Sequence, residues 1–389
     1  MTKPKKFNHL AMNPHRIAFY ILALLYLNSC SEDVSPSEDM KNFTQININE
    51  IEEVTLPNLI KDVTFTQLEL TNASGMTSGS KILIRNNKFY ILDPAQNEVF
   101  IFNIDGSFVD KISSLGDAPN QISFLVDFAF NDYTNEIELL DPRGKIISYR
   151  ESDRSYRNVL NAQDQLTPVY GFALMSEDNI AFYSNLKEYL VYFYSRSRKE
   201  ITSSNVLNEA IEPIDWHSIH PFSQRDNETF LLDMYLSKVY TIDSNGVHTK
   251  HTYNFGDNDF NISSKTHSEI SAAGDLFGLL AEKKAFYPLS FHFEDDDFIV
   301  LRGLHEGTKR KELVFRKKSN LWTITDVTND FNFYLCKASL RDGRYVGIQN
   351  VPGNIIKQFS DADLNANQKE ALNGIKEDGN PVLVFYNFN

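Results

Sequence analysis

Three aspartates recur at one position of a repeated sequence pattern. Asp93, Asp141 and Asp233 each end an apolar segment and precede a turn, with spacings of 48 and 92 residues. Hard divalent cations prefer carboxylate oxygens as ligands, and equivalent positions of a repeat could converge on one axis. The three aspartates are therefore candidate metal ligands. The pattern favours the alternative, in which each aspartate caps its own turn.

Two histidine pairs and one acidic run are further candidate ligands. His217 and His220 lie three residues apart, as do His248 and His251, and Glu294–Asp297 is a run of acidic residues. Zinc needs a third and usually a fourth ligand that converge in space, and calcium needs several oxygens at close range. The apolar segments beside them favour ordinary strand, loop and hairpin features without an ion.

None of the common catalytic motifs is present. The chain has no H-E-x-x-H, P-loop, G-x-S-x-G or C-x-x-C pattern, the arrangements that would place a metal, a phosphate or a nucleophile. We therefore predict no catalytic residue and no resident cofactor, with a divalent metal as the alternative. Whether the chain is an enzyme stays open, and the sequence leans towards a protein without catalytic activity.

The N-terminus has the features of an export signal. Residues 1–16 carry four basic residues and no acidic one, and residues 17–27 are an uninterrupted apolar run. That run is too short for a membrane-spanning helix, which needs about 20 residues. A basic start followed by a short apolar core is typical of a secretory signal peptide. We predict this signal peptide over residues 1–29, with Met1 or Met12 as the start.

A lipid anchor is predicted directly after this signal. Leu27-Asn28-Ser29-Cys30 resembles the bacterial lipobox, although Asn28 departs from the usual small or apolar residue. The resemblance implies that Cys30 is lipidated, and two acyl chains hold a protein stably on a membrane. Residues 30–45 are otherwise polar and predict a flexible tether. Ser31-Glu32-Asp33 is similar to the surface-export signal of Bacteroidetes lipoproteins, so we expect a surface-exposed outer-membrane lipoprotein, with a periplasm-facing one as the alternative.

Charge and cysteine content bear on the partners and on the redox chemistry. The formal net charge is −14, and nucleic-acid binding needs a basic footprint, so we predict no nucleic-acid partner. The two cysteines are Cys30, at the signal junction, and Cys336, within an apolar run. We predict no structural disulfide, and a buried position for the small, hydrophobic Cys336.

From residue 46 onward, apolar and polar residues mostly alternate, as in strands. The clearest unit, 81–112, contains the segments KILIRN, KFYILD, EVFIFNI and SFVDKI, separated by turns rich in Asn and Asp. Looser copies follow at 126–160, 170–204, 219–255 and 289–327, and FYLCKASL, RYVGIQN and IIKQFS begin a sixth at 333. Four-stranded repeats of this length indicate propeller blades. We predict an all-β, six-bladed propeller of antiparallel blades over 46–389.

The two ends of this region are predicted to meet, and two segments interrupt the pattern. PVLVFYNF at the C-terminus and VTFTQLEL near residue 65 have strand character and are expected to complete the sixth blade. Residues 261–284 and 360–377 have helical spacing instead. We expect them to form small helical insertions on the rim of the ring.

The sequence of these strands and turns resembles that of the six-bladed β-propeller lipoproteins of Bacteroidetes. The resemblance rests on KFYILDPAQNEVFIFNIDGSFVDKISSLGDAPNQ and on NPVLVFYNF after a Glu-Asp-Gly turn, and it covers nearly all of the mature chain. That family usually has a G-x-G-P-G-E-type loop after its first unit. Residues 115–121 keep Gly116 and Pro119 of this loop, but the later glycine and acid are replaced. The resemblance implies a fold and a location, and it implies no activity.

Two functions are compatible with these observations. The leading hypothesis is a lipid-anchored binding module that presents its loops to a glycan, a peptide or an outer-membrane protein, because loops on a rigid frame usually carry function. The alternative is a metal-dependent hydrolase or lyase with a divalent metal on the ring axis. That alternative requires three or four ligands from different blades.

Overall fold

The computed structural model describes residues 42–389, apart from 117, 167, 185–188, 209–219, 226–227, 235, 261–275, 327–332 and 341. Residues 44–389 form one unit. The predicted signal peptide, Cys30, most of the predicted tether and His217 lie outside the described residues. Among the described residues, no helix is long and apolar enough to cross a membrane.

The strands form six antiparallel sheets, the blades of a propeller ring. Three strands precede the first complete blade: β1 (Phe43–Gln45), β2 (Glu52–Glu53) and β3 (Ile60–Gln67). Blade 1 contains β4 (Lys81–Arg85), β5 (Lys88–Asp93), β6 (Glu98–Asn103) and β7 (Phe108–Ser113). Blade 2 contains β8 (Asp127–Asn131), β9 (Glu136–Asp141), β10 (Lys145–Arg150) and β11 (Tyr156–Asn161). Blade 3 contains β12 (Gly171–Leu174), β13 (Asn179–Ser184), β14 (Tyr189–Ser195) and β15 (Glu200–Asn208).

The second half of the ring continues the same meander. Blade 4 contains β16 (Phe222–Arg225), β17 (Glu228–Asp233), β18 (Lys238–Asp243) and β19 (Gly246–Asn254), with β1 beside β19. Blade 5 contains β20 (Phe286–Glu294), β21 (Phe298–His305), β22 (Lys309–Arg316) and β23 (Leu321–Asp326), with β2 parallel to β23. Blade 6 contains β24 (Phe333–Ser339), β25 (Tyr345–Gln349), β26 (Val382–Phe388) and the N-terminal β3. The predicted six-bladed all-β fold is confirmed.

The ring closes by pairing the two ends of the chain. Strand β26 pairs antiparallel with β3, and Leu383 lies opposite Thr66. The expectation that PVLVFYNF and VTFTQLEL complete the sixth blade is therefore confirmed. Without β3, the backbone groups of β26 that pair with it would lose their partners.

One strand prediction was wrong, because IIKQFS is helical. It belongs to α3, one of four short α-helices in the part of the chain that the structure describes: α1 (Leu56–Leu59), α2 (Leu276–Glu282), α3 (Pro352–Phe359) and α4 (Ala366–Asn373). Pro352 occupies the first turn of α3, where proline favours a helix start. Ile355 and Phe359 share one helical face and are buried, and the Phe359 ring lies 5.2 Å from that of Phe65. The predicted helical insertions are confirmed where the structure describes them, in α2 and α4.

The hydrophobic core lies between neighbouring blades. Along β5, Phe89 and Ile91 pack towards blade 6, whereas Tyr90 and Leu92 pack towards blade 2. This alternation follows from the two-residue period of a strand. Six hydrophobic clusters of described residues repeat the arrangement around the ring, each drawn mainly from two adjacent blades. The packed blades hold their innermost strands rigidly around the axis.

Candidate functional site

The innermost strands of all six blades, β4, β8, β12, β16, β20 and β24, enclose a cavity of about 650 Å³. We call this cavity the axial channel. Its volume lies within the range of about 300–1,000 Å³ that is usual for small-molecule sites. Its wall combines aromatic rings, among them Phe130, Phe230 and Phe291, with charged side chains. The channel is therefore the candidate functional site.

Basic side chains outnumber acidic ones on the described wall of the channel. The basic residues are Lys81, Arg85, Arg225, Arg302 and Lys337, and the acidic residues are Asp132 and Glu294. The whole chain is acidic, with a net charge of −14. Two of the carboxylate partners of these basic groups, Asp127 and Glu312, are fully buried beside the wall. They hold the basic groups in place, and low-dielectric walls strengthen the field inside a cleft.

One part of the channel wall is built around His220. His220 Nε2 lies 2.9 Å from Ser80 Oγ, and His220 Nδ1 lies 3.2 Å from Asp127 Oδ1. Lys81 Nζ donates to the same Asp127 oxygen at 2.7 Å and to the carbonyl of Phe128 at 2.9 Å. His220 has a φ of +59°, and such strained backbone often marks functional sites. The network joins blades 1, 2 and 4, and its order is serine, histidine, carboxylate.

The protonation of this network follows from burial and from its ion pairs. Burial of Asp127 opposes its ionisation, but Lys81 and His220 outweigh burial and lower its pKa. Burial also lowers the pKa of His220, more than Asp127 raises it. At neutral pH a neutral His220 thus faces an ionised Asp127. In one tautomer Nδ1 donates to Asp127 and Nε2 accepts from Ser80, the arrangement used by nucleophilic serines.

A second basic group lies on β24. Lys337 Nζ donates to the carbonyl of Ser80 at 2.8 Å and lies 5.5 Å from the centre of the Phe291 ring. Burial, reinforced by the neighbouring Arg302 guanidinium, lowers the pKa of Lys337 to about 7. Lys337 is therefore partly neutral near pH 7, and an anion bound beside it would favour the charged form.

The three aspartates occupy equivalent positions at the ends of β5, β9 and β17, and each carboxylate accepts backbone hydrogen bonds from its own blade. Asp93 accepts from the N–H groups of Thr77, Ser78, Ala95 and Gln96. Asp141 accepts from the N–H groups of Ser123 and Arg143, and Asp233 accepts from that of Leu236. These are the bonds of turn caps. None of the three aspartates lines the axial channel, and a metal held by them stays a prediction.

The other sequence candidates lie in different surroundings. His248 is exposed on β19 beside Asp243, whereas His251 lies between blades 4 and 5 and contacts Glu294. In the acidic run, Asp295 accepts from the N–H groups of Asp297 and Phe298 and so caps its hairpin. The Glu294 side chain is 9% exposed and is paired with Lys317 at 2.8 Å. Glu294 therefore belongs to strand β20, and the hairpin turn of the acidic run begins after it.

Gly116 and Cys336, which the sequence also singled out, have defined places. Gly116 has a φ of +149° and its N–H bonds to the carbonyl of Ile122, in the loop between blades 1 and 2. Lys145 Nζ donates to the carbonyl of Gln121 in that loop. Cys336 is buried, as predicted, and its N–H donates to the Tyr386 hydroxyl at 2.8 Å.

Sequence reasoning missed most of the channel wall. Ser80 and His220 are 140 residues apart, and Asp127 and His220 are 93 apart, so no local motif joins them. One signal was available: two of the innermost strands, β4 and β24, carry a lysine in a largely apolar segment, Lys81 in KILIRN and Lys337 in FYLCKASL. A charge inside an inner strand indicates a polar axis.

Comparisons with known proteins support the fold. A family model described as a domain of unknown function (DUF4934) matches residues 43–387. A putative exported protein from Bacteroides fragilis has a similar structure, with a TM-score of 0.73 and 16% identity over 89% of this chain and 99% of that chain. A member of the DUF4221 family from Bacteroides vulgatus gives a TM-score of 0.52 and 10% identity, over 86% of this chain and 99% of that chain. No curated protein matches the sequence.

Proposed function

We propose that this chain, which belongs to the DUF4934 family, is an exported propeller that binds a small, polar, acidic ligand in its axial channel. The single observation that carries this proposal is the lining of the channel, which includes five basic side chains and two acidic ones. Guanidinium and ammonium groups beside aromatic rings are suited to carboxylates and other anions. An acidic sugar or a short acidic peptide has this chemistry.

We further propose that the propeller is attached to the outer membrane through lipidated Cys30 and is exposed at the cell surface, with a periplasm-facing attachment as the alternative. The lipobox-like Leu27–Cys30 and the acidic pair after it support this location. The similar Bacteroides fragilis protein is described as putatively exported, which is in accord with it. A tether would leave the channel accessible to ligands or to an outer-membrane protein partner.

The binding proposal is tested with the full chain and a matched pair of variants. Acidic and neutral monosaccharides and short peptides are screened by thermal shift, and hits are measured by calorimetry. Ser223 is exposed on innermost strand β16 and lines the channel, whereas Ser203 is exposed on outermost strand β15. Ser223→Trp fills the channel with an indole, and Ser203→Trp places the same group on the rim.

We expect acidic probes to raise the thermal midpoint of the wild-type protein and of Ser203→Trp. Affinity for the same probe should fall at least about tenfold, or 1.4 kcal/mol, in Ser223→Trp. Equal affinity in the two variants would place the ligand outside the channel. A preference for neutral over acidic probes would contradict the proposed ligand chemistry.

The hydrogen-bonded chain Ser80–His220–Asp127 favours a second candidate function, acyl transfer with Ser80 as the nucleophile. Ser80 Oγ would attack the substrate carbonyl, and its proton would pass to His220 Nε2. A fluorophosphonate probe tests this, because the Oγ–P bond forms only as fluoride leaves and the proton moves to His220. Labelling should occur in the wild type and in Ser339→Ala, another serine of the channel wall, and should be lost in Ser80→Ala. An unlabelled wild-type protein would exclude this function.

A further inference from the structure

A second cluster of ligating groups lies where blades 4 and 5 meet. His251 comes from β19, and His292 and Glu294 come from one face of β20, since residues two apart on a strand point the same way. His251 Nε2 lies 2.8 Å and His292 Nε2 lies 3.8 Å from the same oxygen, Glu294 Oε2. One ligand atom from each of the three residues fits within 4.8 Å of the others.

Three polar atoms of this cluster have no hydrogen-bond partner within the part of the chain that the structure describes. They are His292 Nδ1, His292 Nε2 and the hydroxyl oxygen of Tyr253. The His292 side chain is 2% exposed, and the Tyr253 ring stacks on His251 with 5.6 Å between ring centres. Buried polar atoms are nearly always satisfied in native proteins. A buried imidazole that has no hydrogen-bond partner and lies beside a carboxylate and a second imidazole therefore indicates a bound group.

We propose that His251, His292 and Glu294 form a zinc site between blades 4 and 5. Two imidazole nitrogens and one carboxylate oxygen are an established zinc ligand set. Tetrahedral ligands about 2.0–2.2 Å from zinc lie about 3.3–3.6 Å apart. The two pairs that share Glu294 Oε2, at 2.8 and 3.8 Å, need only small shifts, and the ligand atoms of the two imidazoles lie within 4.8 Å of each other. Zinc coordinated by His292 would satisfy one of the orphan nitrogens.

His292 and Glu294 are in the protonation states that zinc requires. Burial lowers the pKa of His292 to about 3, so that imidazole is neutral at pH 7. Burial opposes ionisation of Glu294, but the hydrogen bonds with His251 and Lys317 outweigh burial and lower its pKa. Lys317 holds Glu294 Oε1 at 2.8 Å, which leaves Oε2 for the metal and orients the carboxylate from the outer shell.

Two neighbouring cations, Lys317 and Lys250, oppose the metal, and Lys250 is the one on the side of Glu294 Oε2. Lys250 Nζ lies 3.7 Å from Glu294 Oε2, while it also pairs with Glu228 at 3.0 Å and lies over the Phe230 ring. A cation at that distance repels a divalent ion. Zinc affinity should therefore rise when Lys250 is replaced by methionine, which keeps the packing over Phe230 and removes the charge.

The zinc site is distinct from the Ser80 network, but it shares the axial channel. His292 and Glu294 are part of the channel wall, and three protein ligands leave a fourth coordination position for water or for a ligand. The proposal does not depend on ligand binding in the channel. Metal binding can therefore be measured without knowing the ligand.

The test measures zinc bound to the full chain after dialysis against a chelator and back-titration with zinc. We expect about one zinc ion per chain in the wild type and in His248→Ala, whose imidazole is exposed and outside the cluster. His292→Ala and Glu294→Gln should lose at least about 100-fold in affinity, more than the ~10–100-fold typical of outer-shell changes. Lys250→Met should bind about two- to fivefold more tightly than the wild type.

A second readout keeps the test independent of variant folding. Cobalt(II) bound to the wild-type chain should give the intense visible absorption of four-coordinate cobalt and should be displaced by zinc. Substoichiometric zinc in the wild type, the weak spectrum of six-coordinate cobalt, or equal affinity in His292→Ala and His248→Ala would each overturn the proposal.

Discussion

A buried ion pair on the channel wall gives a quantitative test of the structure. Arg302 on β21 and Glu312 on β22 face each other across the sheet, and Arg302 Nε donates to Glu312 Oε1 at 2.6 Å. The side chains are 6% and 0% exposed. Replacing Arg302 by methionine keeps an apolar stem against Phe291 but leaves the Glu312 carboxylate buried without its cation. Breaking a buried pair in this way costs about 3–5 kcal/mol.

The pH dependence of that loss follows from Glu312. Burial raises its pKa, against the opposing effect of Arg302, so the folded state holds the proton more tightly than the unfolded chain does. The contribution of such a group is fully present below its unfolded pKa and is lost as pH rises through its folded pKa. Without Arg302 the folded pKa rises further. Arg302→Met should therefore lose more stability at pH 8 than at pH 5.

Urea unfolding followed by circular dichroism measures both effects. The double variant Arg302→Met/Glu312→Leu should recover to within about 1.5 kcal/mol of the wild type and should not show the extra pH dependence. Lys309→Met, which removes an exposed pair with Glu306, is the matched control and should change stability by less than about 1 kcal/mol. A single variant that loses under 1 kcal/mol at pH 8, or equally at both pH values, would refute this reasoning.

Three further changes test the closure, the turn caps and the anchor. Phe65→Ala on the closing strand β3 should lower the free energy of unfolding by about 3–5 kcal/mol. Thr64→Ala, at the exposed neighbouring position, should change it by less than about 0.5 kcal/mol. Equal losses of the two variants in urea titrations would contradict closure by β3. Asp93→Ala should lower the free energy of unfolding by about 2–4 kcal/mol, because four backbone N–H groups lose their carboxylate acceptor. Its metal content, measured by mass spectrometry, should be unchanged. Loss of a metal would instead support the axial-metal alternative. Cys30→Ala should move the protein from the membrane to the soluble fraction and remove the acyl mass, and continued membrane association would refute the lipid anchor.

Blade strands were predictable because each is specified locally. In segments such as KFYILD, successive side chains point to opposite faces of the strand, and both faces are buried. Phe89 and Tyr90 therefore indicate that blades pack on both sides of β5. The turns rich in Asn and Asp specify the hairpins. The strand prediction for IIKQFS was wrong because two adjacent isoleucines fit a buried strand and a helix equally well over so short a segment. Closure by β3 was predictable only because both unpaired ends had strand character.

The channel could not be predicted in the same way. His220 acquires its meaning from Ser80 and Asp127, which the ring brings together from blades 1 and 2. His251 suggested a partner three residues away, but its neighbours His292 and Glu294 lie in the next blade. Spacing within one strand reports which face a residue occupies, and only the ring shows which faces meet.

The location of a bound acidic ligand is the most direct test of the central claim. A crystal structure of the full chain with the tightest acidic probe from the screen would show it. We predict density in the axial channel, with the acidic group within hydrogen-bond distance of Arg225 or Lys337. A ligand bound on the rim, with the channel holding only water, would contradict the account.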